Sequence, residues 1–134
     1  MKSPEIVLSL NEIMFYFTRA AVGAGLSFGM AEDFGCSSIW IGASGLDPAR
    51  ITSKTLMSLD EAQSSLCASQ TEIGAETVLM PSGGKQLSAL FAGPSVCDWI
   101  LERKAVSDKT QHFVIEQVDH PFLIAAAVGS LKSG

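Results

Sequence analysis

In the first half of the chain, apolar positions recur at helical spacing. Ser9 is followed three residues later by Glu12, a pairing whose side chains satisfy two of the free amides at a helix start. Leu10, Ile13, Met14, Phe17, Ala21 and Ala24 then mark one helical face. The pattern predicts a helix over 10–24, ended by Gly23 or Gly25. Phe15 and Val22 add a second apolar stripe, with Tyr16 between them, and a helix apolar on more than one side is normally buried on more than one side.

A second helix is expected after Ser27, a capping residue, with Glu32 and Asp33 in its early turns near the positive end of the helix dipole and Gly45 as a left-handed stop. Within it Ala31, Gly35, Ser38 and Gly42 form one stripe of small residues, flanked by Phe34, Trp40 and Ile41, while Ile39 points away. Small residues permit close approach of another backbone, most simply the Ala20, Ala21 and Ala24 region of the first helix; a slot for a flat ligand is the functional alternative. Asp47 before Pro48 opens a third helix to about Leu59, burying Ile51, Thr55, Leu56 and Leu59, and Asp60 and Glu61 begin a further turn towards Leu66.

Beyond a polar junction at 58–69 the pattern turns towards strands. Glu76 to Met80 and Gln86 to Ala92 are short apolar runs separated by Pro81-Ser82-Gly83-Gly84-Lys85, which suits a hairpin turn. Pro94 is expected to start a short helix through Trp99 and Leu101, and His112 to Val118 alternates as a third strand, with Phe113 and Ile115 on one face. Pro121 to Lys132 is assigned as a helix, although Phe122-Leu123-Ile124 suits a strand equally. The expected class is α+β: a single domain with a helical half over 1–70 and a mixed strand and helix half over 71–134.

Composition sharpens this picture in one respect. Of 134 residues, 47% are hydrophobic and only 17% charged, an apolar surplus that excludes a disordered chain. The net charge of −5 leaves no basic footprint for nucleic acid or anionic lipid. Charges interrupt every apolar stretch before it reaches the ~20 residues needed to span a bilayer, and the N-terminal residues lack the pattern of a signal peptide, so the expected location is cytoplasmic. The surplus gathers in Ile13 to Phe17, around Trp40 and in Phe122 to Val128, which points to surface buried against other protein.

Candidate chemistry is sparse. Cys36, Cys67 and Cys97 are odd in number and widely spaced, which predicts free, mostly buried thiols rather than disulfides or a metal motif. His112 and His120 have no ligand-spaced partner, so neither a metal nor another cofactor is expected. Ser82-Gly83-Gly84-Lys85 fails the phosphate-loop spacing, because Leu79 and Gln86 occupy positions that require glycine and Ser or Thr. Gly23-x-Gly25 lacks the remainder of a dinucleotide fingerprint.

Two clusters stand as ligand-binding candidates. Asp119-His120 joins a histidine to a carboxylate at a strand end, a pairing suited to general-base work, whereas the structural alternative is that Asp119 caps the last helix. Ser95 and Asp98 lie in Ala92-Gly93-Pro94-Ser95 and the following turn, where free helix-start amides are suited to an anion.

Three separated pieces, Ser9 to Glu12 with Ala24 to Asp33, Ala92 to Trp99, and Val118 to Pro121, together resemble a bacterial family known only as a domain of unknown function. That resemblance implies no activity. The helical half also resembles the first helices of the malate and L-lactate dehydrogenases that lack a conventional Rossmann fold. Those enzymes follow the second helix with Ser-His-Gly; this chain has Ser44-Gly45-Leu46-Asp47 and is too short for a nicotinamide site, so the activity does not carry over.

The leading expectation is a non-catalytic binding or assembly module, homodimeric through the Ile13 to Phe17 helix, with no nucleic-acid or membrane partner. The competing one is a small-molecule enzyme or sensor holding an acidic or acyl ligand near Asp119 and His120.

Overall fold

Local capping chemistry sets the first three helices of the computed structural model, which describes residues 7–104 and 112–133. In α1 (Leu10–Gly23) the Glu12 amide donates to Ser9 Oγ at 3.2 Å, and the Ser9 amide returns to Glu12 Oε1 at 3.1 Å. α2 (Phe28–Ala43) starts on Ser27, whose hydroxyl accepts from the Met30 amide. α3 (Pro48–Asp60) starts on Asp47, which accepts from the Ala49 and Arg50 amides, with Pro48 in the first turn. Gly25 and Gly45, at φ +106° and +87°, end the first two helices, and each turn is closed by a bond back over five residues, from Leu26 to Ala21 and from Leu46 to Ile41.

The chain then departs from its sequence pattern. α3 stops at Asp60 instead of continuing towards Leu66, because Ala62 turns into the left-handed region at φ +58° and leads into β1 (Ser64–Ser65). The hairpin is formed by β2 (Ala68–Ile73) and β3 (Glu76–Pro81) around Gly74 and Ala75, not by Glu76 to Met80 with Gln86 to Ala92. Only β4 (Gln86–Leu87) of that second run is a strand, and it pairs in parallel with β1.

Ser88 then caps α4 (Ala89–Lys104), and Pro94 lies inside this helix instead of starting it. A short apolar run such as Leu87 to Ala92 serves a buried helix as readily as a buried strand, and here the capping serine decides. β5 (His112–Ile115) is shorter than expected, ending before the left-handed Gln117, and runs parallel to β3 to complete the order β2-β3-β5. α5 (Phe122–Ser133) settles the terminal segment as helix.

These elements make an α+β protein in which the two halves share their cores. One cluster joins Ala21 of α1, Ala31 and Phe34 of α2, and Leu90 of α4; a second joins Ile41 of α2 to Ala89, Leu123 and Ala126. A third sets Ala92 of α4 against Leu79 and Leu87, while the Trp99 and Phe113 rings meet at 4.9 Å.

α2 lies at the centre, packed against all four other helices. Its small stripe is the reason, and the expected close approach occurs. A Cβ on Gly35 would overlap the Thr18 hydroxyl and come within 2.7 Å of Met14 Sδ, and one on Gly42 would lie 3.1 Å from Ile13 Cδ1. The approach involves Met14 and Thr18 as well as the Ala21 region, because α1 runs antiparallel to α2, with Ala21 near Ala31 at one end and Ile13 near Gly42 at the other. On the other side the Trp40 ring rests on Gly129 of α5, where an added Cβ would fall 2.7 Å from Cζ2.

Helical burial also covers polar groups. The hydroxyls of Ser37, Ser38 and Thr52 donate to the carbonyls four residues earlier, so each enters the interior already bonded.

Replacing Gly35 with alanine forces Thr18 and Met14 aside in a packed interface, at an expected cost of ~1–3 kcal/mol. Denaturant unfolding of Gly35→Ala should report that loss. The same substitution at Gly29, whose surroundings are open, sits on an exposed helical turn and should not reproduce it.

Candidate functional site

Asp119 hydrogen-bonds to three separate elements, β4, α4 and α3. Its amide donates to the Leu87 carbonyl at 3.0 Å, and Leu87 in turn donates to Gln117, so that β4 is held beside the segment after β5. Its carboxylate accepts from the Ala89 amide at 2.8 Å through Oδ1 and from the fully buried Thr55 hydroxyl at 3.2 Å through Oδ2. A carboxylate at the first amide of a helix satisfies an orphan donor and opposes the positive dipole end. Asp119 thus caps α4, not the last helix, and ties α3 to it.

The other sequence candidates do not converge on Asp119. His120 is half-buried, and its carbonyl accepts from the Leu123 amide at 3.2 Å to begin α5. Ser95 lies in mid-helix and donates to the Phe91 carbonyl at 2.8 Å, so the free helix-start amides expected at Pro94 and Ser95 are absent. Asp98 stands nine residues beyond Ala89 in α4, roughly 13 Å along the helix axis.

Asp98 instead belongs to a cavity of about 210 Å³ between α2, α4 and α5, lined in part by Asp33, Cys36, Cys97 and Ser130. Burial, reinforced by the nearby Asp98 and Glu32 charges, pushes the Asp33 carboxyl above its ordinary value. Burial likewise raises the Cys36 and Cys97 thiols, with Asp33 adding to both. Raised thiols stay protonated at neutral pH and are poor nucleophiles. Two carboxylates beside them repel an acidic ligand. The expectation of mostly buried cysteines is also corrected: all three are free, but Cys36 and Cys67 are exposed and Cys97 is half-buried.

Two surfaces among the described residues display part of the apolar surplus. An open depression of about 690 Å³ runs between the end of β5 and α5, lined by Ile115, Val118, Ile124 and Val128 among others. Sequence reasoning flagged the Phe122 to Val128 run but not the strand residues that complete the depression, since their meeting depends on tertiary packing. The second surface is the outer face of α1. Phe15, Tyr16 and Val22 are 56%, 53% and 45% exposed, so the second apolar stripe is not covered by the rest of the described chain. The Phe15 and Tyr16 rings meet edge to face at 5.4 Å, and the Arg19 guanidinium lies 5.3 Å from the Phe15 ring centre.

Residues 8–78 match the family described as Protein of unknown function (DUF3726). The chain belongs to this family. The DUF3726 match runs from just before the Ser9 cap into β3; it takes in the Ser9 to Glu12 and Ala24 to Asp33 pieces and leaves those at Ala92 to Trp99 and Val118 to Pro121 outside. No curated protein and no solved structure matches the chain. Among the described residues no helix is long and apolar enough to cross a membrane, and no three His, Cys, Asp or Glu side chains are grouped to hold a metal ion.

The Asp119 junction of this DUF3726 chain carries its own test. Asp119→Ala removes a cap and leaves the buried Thr55 hydroxyl without its partner, so a stability loss of about 1–3 kcal/mol is expected. Asp119→Asn keeps one acceptor oxygen and should lose less. Equal losses in thermal unfolding would contradict the capping role.

Proposed function

We propose that this DUF3726 protein is a non-catalytic binding or assembly module that acts as a homodimer through the outer face of α1. The observation that carries the reading is the exposure of Phe15, Tyr16 and Val22 along one side of a helix whose other side is packed on α2. Two adjoining aromatic rings, with a valine two turns further along the same side, are unfavourable in water, and their burial against protein removes that cost. The bacterial, cytoplasmic setting proposed for it rests on the motif resemblance and on the short spacing between charges.

The surroundings of Asp119, Ser95 and Asp98 support the same reading. The Asp119 carboxylate is bonded to two helices, and the Ser95 hydroxyl to its own helix. Asp98 shares its cavity with a second carboxylate, which disfavours an acidic ligand there.

Sedimentation equilibrium tests the proposal. The wild-type chain should show a reversible monomer–dimer equilibrium, and the double variant Phe15→Ser/Tyr16→Ser should raise the dissociation constant by roughly 10–100-fold, as expected when interface aromatics are removed. The circular dichroism spectrum should not change, because both rings lie outside the core. A wild-type chain that stays monomeric up to millimolar concentration would overturn the reading.

A further inference from the structure

The outer face of α1 also specifies how a second copy would meet it. Glu12, Phe15, Tyr16, Arg19, Val22 and Gly23 are all exposed and recur at intervals of three and four residues, which aligns them on one side of the helix. The two charges on this face are opposite in sign and lie equally far from the point midway between Phe15 and Tyr16: Glu12 a full turn before it, Arg19 a full turn after it.

We propose that two copies pair through α1 in an antiparallel, two-fold arrangement centred between Phe15 and Tyr16, with Glu12 of each copy against Arg19 of the partner subunit. This rests on the homodimer reading above and adds the register to it. A two-fold axis at that midpoint carries Phe15 onto the level of the partner's Tyr16 and Glu12 onto that of the partner's Arg19, so both aromatic and charged groups meet complementary groups twice. A parallel pairing brings Glu12 against Glu12 and Arg19 against Arg19, and shifting the antiparallel register by a turn separates the charges. Glu12 is already fixed in place by the Ser9 amide on one carboxylate oxygen, which leaves the other for the guanidinium. Arg19 lies against Phe15, on the same side as the rings it would flank.

The helix also bounds the strength of the pairing. A 14-residue helix is about 21 Å long and presents a strip roughly 10 Å wide, which falls short of the ~800 Å² per partner of a standard interface. The dimer is therefore weak, and rim charges have a visible share in its affinity and salt dependence.

Charge reversal with rescue tests the register on the full chain by sedimentation velocity. Glu12→Lys and Arg19→Glu should each weaken self-association by ~10-fold or more, because each creates two like-charge pairs per dimer. Mixed in equal amounts they should form a heterodimer close to wild-type strength. The lysine introduced in one copy then meets the glutamate introduced in the other, and the unaltered Arg19 and Glu12 meet across the second contact. Glu12→Gln retains the capping bond and provides a second partner: mixed with Arg19→Glu it should associate more tightly than Arg19→Glu alone. A wild-type dimer that the single reversals leave unchanged, or whose loss mixing does not repair, overturns the register while the homodimer stands. A monomeric wild type overturns both.

Discussion

The close approach of α1 to α2 at Gly35 is the constraint on which the rest of the structure depends. With no Cβ there, the Thr18 hydroxyl and the Met14 thioether settle directly against the α2 backbone. That contact fixes the rotation of α1 about its own axis, turning Ile13, Thr18 and Ala21 inward. The outward residues are then determined as well, because a helix has only so many sides. Phe15, Tyr16, Arg19 and Val22 face away from α2 as a geometric consequence of Gly35.

Small residues extend the same logic around α2. Ala31 admits α1 near its end, and Gly129 of α5 admits the Trp40 ring, so α2 is covered from several directions while remaining apolar almost all round. The strand half is joined to this helical centre through Leu87 and Asp119. Leu87 is fully buried, paired on one side with β1 and bridged on the other to Val118, and Asp119 converts that strand junction into a helix cap. The carboxylate that looked most like chemistry in the sequence is in this way committed to holding three segments together.

What was legible in the sequence was local. Ser9 with Glu12, Asp47 with Pro48, and Gly25 and Gly45 act within a few residues of the bonds they make, and each appears in the structure in its expected role. The small stripe was legible too, because its periodicity belongs to one helix. β2 was not: Ser69, Gln70, Thr71 and Glu72 are polar on both faces of an exposed edge strand, so no alternation marks it. The Gln86 to Ala92 run reads as a strand by its apolar content, although most of it begins α4, because such a run serves a buried helix equally well, and Pro94 drew the helix start too late. The partners of Asp119 lie 30 and 64 residues away, a distance over which sequence spacing carries no information. The cavity that joins Asp33 to Asp98 was illegible for the same reason.

The central claim is that α1 has two packing faces, an inner one that belongs to α2 and an outer one that belongs to a second copy. At 14.1 kDa the chain is well suited to solution NMR, and Tyr16 is its single tyrosine, so ring resonances at this position are unambiguous. The most direct measurement is an isotope-filtered NOE experiment on an equal mixture of labelled and unlabelled protein at millimolar concentration. Intermolecular cross-peaks from the Tyr16 ring to a Phe ring of the other copy, with Phe15 assigned as the source, are the predicted result. Absence of any intermolecular cross-peak to α1, together with Tyr16 shifts that do not change on dilution, would contradict it.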